Sequence, residues 1–104
     1  AAFIQNKRET ASIYKEYFSK INEIQFFTEP LNCKSNYWLN VLLLKDKEQQ
    51  QQFLQITNDN GVMTRPIWQL MNKLPMFENC QTGDLTNTLW LEERIVNIPS
   101  SVRL

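Results

Sequence analysis

Tyr37-Trp38-Leu39-Asn40-Val41-Leu42-Leu43-Leu44 runs directly into Lys45-Asp46-Lys47-Glu48-Gln49. The first part is aromatic and branched-aliphatic, the composition that fits a pleated, half-buried surface, and it predicts a strand over residues 37–44. The second part opens a helix. Asp46 is a good N-cap, and Gln49 follows three residues later as in a capping box. The helix predicted from there runs to about residue 57 and buries Phe53, Leu54 and Ile56. The Gln49-Gln50-Gln51-Gln52 run reads as its solvated first turns, because four glutamines are too few for a low-complexity tract. Asn58-Asp59-Asn60-Gly61 stops it with a residue free to turn left-handed. A strand that passes straight into a capped helix places sheet and helix in one unit.

Outward from this stretch the pattern continues. Residues 3 to about 21 form an amphipathic helix, with Phe3, Lys7, Ala11, Tyr14, Phe18 and Ile21 at helical spacing and Ile4, Ile13 and Tyr17 widening the apolar face. No N-cap precedes it; the pattern runs up to Ala1, as if the chain began inside a longer helix. Residues 24–28 read as a short strand with Phe26 and Phe27 on opposite faces. Glu29-Pro30-Leu31-Asn32 turns the chain. Residues 62–65 read as a strand that Pro66 ends, and residues 67–77 as a loop with a helical turn near 69–73. Asp84 caps a last helix over 85–94, with Leu85, Leu89 and Trp90 or Ile95 facing inward. Residues 96–98 form a final strand, closed by Pro99. The order α-β-β-α-β-loop-α-β describes a two-layer α+β domain, helices on one face of a small, mostly antiparallel sheet.

Composition narrows the chemistry. A chain of 104 residues has room for a single domain, residues 1–104. Eleven acidic residues balance eleven basic ones, so the chain has no electrostatic footprint for nucleic acid or an anionic membrane. No apolar run approaches the ~20 residues of a spanning helix. Ala1-Ala2-Phe3-Ile4 is too short for the apolar core of a signal peptide. Cys33 and Cys80 read as two free thiols of a cytosolic protein. Histidine is absent, which removes the commonest general base and the usual zinc sets. Gly61 and Gly83 are too few for a phosphate loop or nucleophile elbow. A small hydrolase would rest on scattered carboxylates such as Glu29, Glu78 and Asp84, with no spacing that pairs them.

Two segments carry more than filler. In Gly61-Val62-Met63-Thr64-Arg65-Pro66-Ile67-Trp68 an arginine fork and an indole stand at the exit of a strand, where ligand contacts gather. The same residues also fit a surface arginine beside a packed tryptophan. In Ser35-Asn36-Tyr37-Trp38-Leu39-Asn40 two small polar residues open the main strand; a plain turn reads equally well there.

Taken in order, these segments, with Leu74-Pro75-Met76-Phe77 and the closing Arg94-Ile95-Val96-Asn97-Ile98-Pro99-Ser100-Ser101, resemble the C-terminal small domain of the DegT/DnrJ/EryC1/StrS family. The Lys7-Arg8 helix leading to Tyr14 and Tyr17 is similar to the helix that leaves that family's large domain. The resemblance runs the length of the chain. It points to the branch that aminates UDP-linked 4-keto-6-deoxy sugars on routes to legionaminic-type or bacillosamine-like sugars, with GDP-perosamine-forming enzymes as near relatives.

The resemblance implies a C-terminal fragment of a cytoplasmic, homodimeric enzyme that uses pyridoxal 5'-phosphate, with glutamate as amino donor. The cofactor would sit on a lysine of the missing large domain. None of Lys7, Lys15, Lys20, Lys34, Lys45, Lys47 and Lys73 precedes a Gly-rich stretch like the one that follows the family's cofactor lysine, so no cofactor is expected in this fragment, which would be inactive alone. By the same resemblance Arg65, Trp68 and Met71 would lie near a nucleotide-sugar, and Ser35, Asn36 and Tyr37 near that cleft or the interdomain seam. The alternative is a stand-alone, non-catalytic protein-interaction module.

Overall fold

The computed structural model describes residues 1–103. A four-stranded antiparallel sheet has the order β1-β2-β4-β3, built from β1 (Gln25–Phe26), β2 (Asn40–Leu43), β3 (Arg65–Pro66) and β4 (Ile95–Ile98). Three helices accompany it: α1 (Ala2–Phe18), α2 (Lys47–Asp59) and α3 (Thr86–Glu92). Two 3-10 turns, Met71–Lys73 and Pro75–Phe77, lie between β3 and α3.

Side-chain alternation explains the layering. Phe26 pairs with Leu42, and Leu42 with Val96, so one rung of the sheet carries three buried apolar side chains. Leu44 and Ile98 extend the same face. Ala11, Tyr14 and Phe18 from α1, and Phe53 and Leu54 from α2, pack on it, so both helices cover one face of the sheet as expected. The small Ala11 lets α1 approach closely, and the Tyr14 ring stands 6.1 Å from that of Phe26.

The elements are shorter than the patterns implied. β2 begins at Asn40 rather than Tyr37, because residues 35–38 form two side-chain-closed turns. The Tyr37 amide donates to Ser35 Oγ and the Trp38 amide to Asn36 Oδ1, and Tyr37 takes φ 47°. β3 is Arg65–Pro66 and not residues 62–65. It lies at the sheet edge, where a missing proline N–H costs no ladder bond. α1 ends at Phe18, and Ile4, Ile13 and Tyr17, expected on its buried face, are exposed. Ile56, Leu89 and Trp90 are exposed too, contrary to expectation. α3 spans Thr86–Glu92, within the expected 85–94; Leu85 before it and Ile95 after it are half-buried as expected, and Leu91 is the half-buried apolar residue within it.

The cap of α2 follows the sequence, whereas α3 begins after Leu85 with no side-chain cap, so Asp84 stands one residue ahead of the cap position. Asp46 accepts the Gln49 amide at 2.8 Å, and Gln49 Oε1 accepts the Lys45 amide, one residue before the cap. Asp84 takes both the amide and hydroxyl of Thr86, which holds its carboxyl below the usual range. The glutamine run departs from expectation at one member. Gln50 is buried, and its Nε2 donates to the carbonyls of Glu92 and Ile95, tying α2 to the end of α3 and the start of β4.

The last described residues return along α1. Pro99 O accepts the Tyr14 hydroxyl, Ser100 O accepts Lys7 Nζ, and Asn6 exchanges two bonds with the Arg103 backbone. Arg103 Nε reaches Thr10 Oγ1. Among the described residues no helix is long and apolar enough to cross a membrane. Both cysteines are free and exposed.

Candidate functional site

The exit of β3, the end of β4 and the entry to β2 enclose a cleft of about 640 Å3. Trp38 and Trp68 both line it, with ring centroids 6.2 Å apart and planes 28° from parallel. Both indoles are more than 60 % exposed, at 63 % and 64 %, so neither is the packed core tryptophan that the residue chemistry also allowed. Two exposed indoles stacked together in the lining of one cleft offer an apolar surface for a planar or sugar ring.

Arg65 lines the same cleft and stands on one rung with Asn97 and Val41. A knot of polar groups at the C-terminal end of α2 fixes its backbone. Thr64 is buried, its hydroxyl lies 2.6 Å from that of Thr57, and both its hydroxyl and carbonyl accept from Asn58 Nδ2. One guanidinium nitrogen of Arg65 donates to Asn58 Oδ1 and to the Thr64 carbonyl. The other two guanidinium nitrogens meet no acceptor among the described residues and leave donors for an anion or a hydroxyl.

The structure separates the remaining candidates. Met71 is exposed but lies outside the cleft lining, on the 3-10 turn. Ser35 and Tyr37 are engaged in a knot behind the cleft. The Glu29 carboxylate accepts two bonds from Arg8, at 2.9 and 2.7 Å, and a third from the Ser35 amide. Arg8 also donates to Ser35 O and stands 5.6 Å from the Tyr37 ring centroid, while the Tyr37 hydroxyl accepts the Glu29 amide. These donors, the Arg8 pair first, pull the Glu29 carboxyl down to about 2. Asn36 is exposed beside Phe3, Ile4, Lys7 and Trp38.

Sequence reasoning missed Trp38, Lys7 and Asn97 as cleft residues. Trp38 read as strand filler, and Lys7 as one charge on a solvated helix face. Lys7 Nζ in fact bridges two carbonyls, Trp38 O at 3.2 Å and Ser100 O at 2.7 Å. Only the facing of α1 toward the end of β4 could have revealed this, and that facing is a tertiary fact.

Lys7, which lines the cleft, is committed to two carbonyls, and Lys73 is paired with Glu92 at 2.7 Å. Lys15, Lys20, Lys34, Lys45 and Lys47 are exposed. Gly61 and Gly83 have open space where a Cβ would stand, so neither marks a close phosphate cradle. No group of three or more metal-ligating side chains occurs among the described residues.

The family is shown by one comparison with known proteins and the fold by another. The model of the DegT/DnrJ/EryC1/StrS aminotransferase family matches residues 1–104. A GDP-perosamine synthase of Escherichia coli O157:H7 is 29 % identical over 100 residues, covering 94 % of this chain and 26 % of that protein. In fold, the chain is similar to the sugar aminotransferase CalS13 of Micromonospora echinospora, with a TM-score of 0.84, 18 % identity and coverage of 99 % of this chain and 27 % of that one. PseC of Helicobacter pylori, an aminotransferase involved in pseudoaminic acid biosynthesis, gives a TM-score of 0.84 at 16 % identity, over 97 % of this chain and 28 % of its own. The chain thus spans about a quarter of the length of the relatives it matches. A two-layer domain of this topology, matched by the family model over all its residues, belongs to the DegT/DnrJ/EryC1/StrS aminotransferase family.

Proposed function

We propose that this chain is the small C-terminal domain of a pyridoxal-phosphate-dependent aminotransferase, and that its cleft forms one wall of the site for a nucleotide-linked keto-deoxysugar. The substrate would be a UDP-linked 4-keto-6-deoxy sugar or the GDP-linked precursor of perosamine. The observation that carries the reading is the cleft itself: free guanidinium donors of Arg65 beside two exposed indoles, on a chain of this family. Arg65 contacts a phosphate or sugar hydroxyl, and Trp68 packs on the sugar or base. Asn36 and Met71 lie at the margins, and Ser35 and Tyr37 hold the wall from behind. The cofactor lysine belongs to the large domain, so no step of the cofactor's chemistry is assigned to this chain.

The partner surface is apolar. Phe3, Ile4, Ile13 and Tyr17 of α1 are all exposed, and Phe3 and Ile4 share a hollow with Trp38 at the cleft's edge. Exposed apolar side chains in this number along one helix mark an interaction surface, and the large domain of the parent enzyme is the partner proposed for it. The parent works in the cytoplasm as a homodimer, on a route to a surface polysaccharide. The same side chains also support the second reading, a stand-alone interaction module. A reading frame that continues upstream with the cofactor lysine decides for the enzyme.

The test is Arg65→Ala in the intact enzyme. Loss of one charged hydrogen bond to substrate is worth about 1.5–3 kcal/mol, roughly a tenfold to hundredfold rise in the Michaelis constant for the nucleotide-sugar. Cofactor binding stays as it was. An unchanged Michaelis constant removes Arg65 from the site.

A further inference from the structure

The geometry points to Lys7 and Glu29 as positioning residues of the cleft: through bonds to protein groups they hold Trp38 at its stacking distance from Trp68. The inference deepens the proposed substrate wall and rests on that reading only for its functional consequence.

Trp38 has little of its own to fix it. Its side chain is 63 % exposed and lies outside the core cluster. It precedes β2, so no ladder bond holds its backbone. The residue before it, Tyr37, has φ 47°, which for a bulky side chain persists only when its surroundings over-determine it. Those surroundings are the Glu29 knot and Lys7. Arg8 and the Ser35 amide both bond the Glu29 carboxylate, which closes the loop of residues 29–35 onto α1. The Ser35 hydroxyl then fixes the Tyr37 amide, and the Tyr37 ring lies beneath the guanidinium.

Lys7, the neighbour of Arg8 on α1, completes the arrangement. Its ammonium bridges Trp38 O and Ser100 O, and Ser100 Oγ accepts the Asn40 amide, so both bonds hold the entry to β2. Trp68 is placed independently, by β3 and the Asn58–Thr64–Arg65 knot. Each wall of the cleft is therefore pinned to a different helix: the Trp38 wall to α1 and the Trp68 wall to α2. Lys7 fixes the Trp38 wall against the segment that follows β4, the strand on which β3 pairs.

Two stacked indoles give a far-ultraviolet exciton couplet whose size depends steeply on their separation and angle, so circular dichroism of the 104-residue chain reads the spacing directly. Trp68→Phe removes the couplet and sets the zero. Lys7→Met keeps the aliphatic stem and removes the donors; the couplet is expected to fall at least about twofold while the helical signal is retained. Lys7→Arg, which can still donate to both carbonyls, restores most of it. Glu29→Gln weakens the knot and lowers the couplet in the same direction. If Lys7→Met fails to fold, Glu29→Gln decides alone. An undiminished couplet in the folded variants overturns the assignment. Because this readout needs no substrate, it can fail while Arg65→Ala still raises the Michaelis constant, and the reverse, so the two readings fall separately.

Discussion

Glu29 collects three donors, two from Arg8 and one from the Ser35 amide, and its carboxyl is held at about 2 against an ordinary 4.5. A carboxylate with a lowered folded value stabilises the fold fully above its unfolded value. That contribution is lost as pH falls from 4.5 toward 2. Thermal melts of the wild type should therefore drop in midpoint across that window, and Glu29→Gln should lose part of the slope. Equal slopes in the two proteins would mean that the pair is screened to insignificance. Asp84, held down by Thr86, adds a separate contribution of the same sign. At this scale the sequence was informative where the chemistry is local. Asp46 and Asp84 were legible because each serves amides within three residues of itself. Glu29, Lys7 and Gln50 were not, because Arg8 lies 21 residues from Glu29 and the partners of Lys7 and Gln50 lie 31 to 93 residues away.

Among the elements, α2 shows why the glutamine run was misread. Three of its four members are polar residues serving the helix cap or solvent. Gln50 alone faces the core, where its amide reaches Glu92 O and Ile95 O. Gln50→Ala leaves both carbonyls without that donor and opens space in the core. It should cost about 1–3 kcal/mol in denaturant unfolding. A loss below about 0.5 kcal/mol would show that water replaces the amide. The strands were legible in kind and misjudged in extent. Alternation locates β2 and β4 but cannot tell a ladder residue from an approach, so Tyr37 and Trp38 read as strand although side-chain bonds curl them into turns. Apolar periodicity likewise overcounted α1 and α3. Exposed Ile4, Ile13, Leu89 and Trp90 carry the same pattern as a core face, and the pattern does not say which partner will cover it.

For the molecule as a whole, the sequence conveyed the layer order, the antiparallel sheet and the family. It could not convey that Trp38 and Trp68, thirty residues apart, close one cleft. Half of a composite site cannot pre-organise a ligand, so the isolated chain should bind UDP or GDP only weakly, with dissociation constants on the order of millimolar. Titration monitored by tryptophan fluorescence checks this; micromolar binding would mean that the cleft is complete in itself. The same chain mixed with pyridoxal phosphate should leave the cofactor's absorbance unchanged, and a lysine-dependent band would place the cofactor lysine here after all.

The return of residues 99–103 along α1 has a consequence for synthesis. Asn6, Lys7, Thr10 and Tyr14 find their partners 85 to 97 positions later in the chain. Of this domain's three helices α1 is made first, and it completes its contacts last. Until the tail emerges, α1 is held by Ala11, Tyr14 and Phe18, by Arg8 on Glu29 and by Lys7 on Trp38 O, while its exposed apolar side chains stay open to a partner. Translation order makes the domain's first element a late arrival.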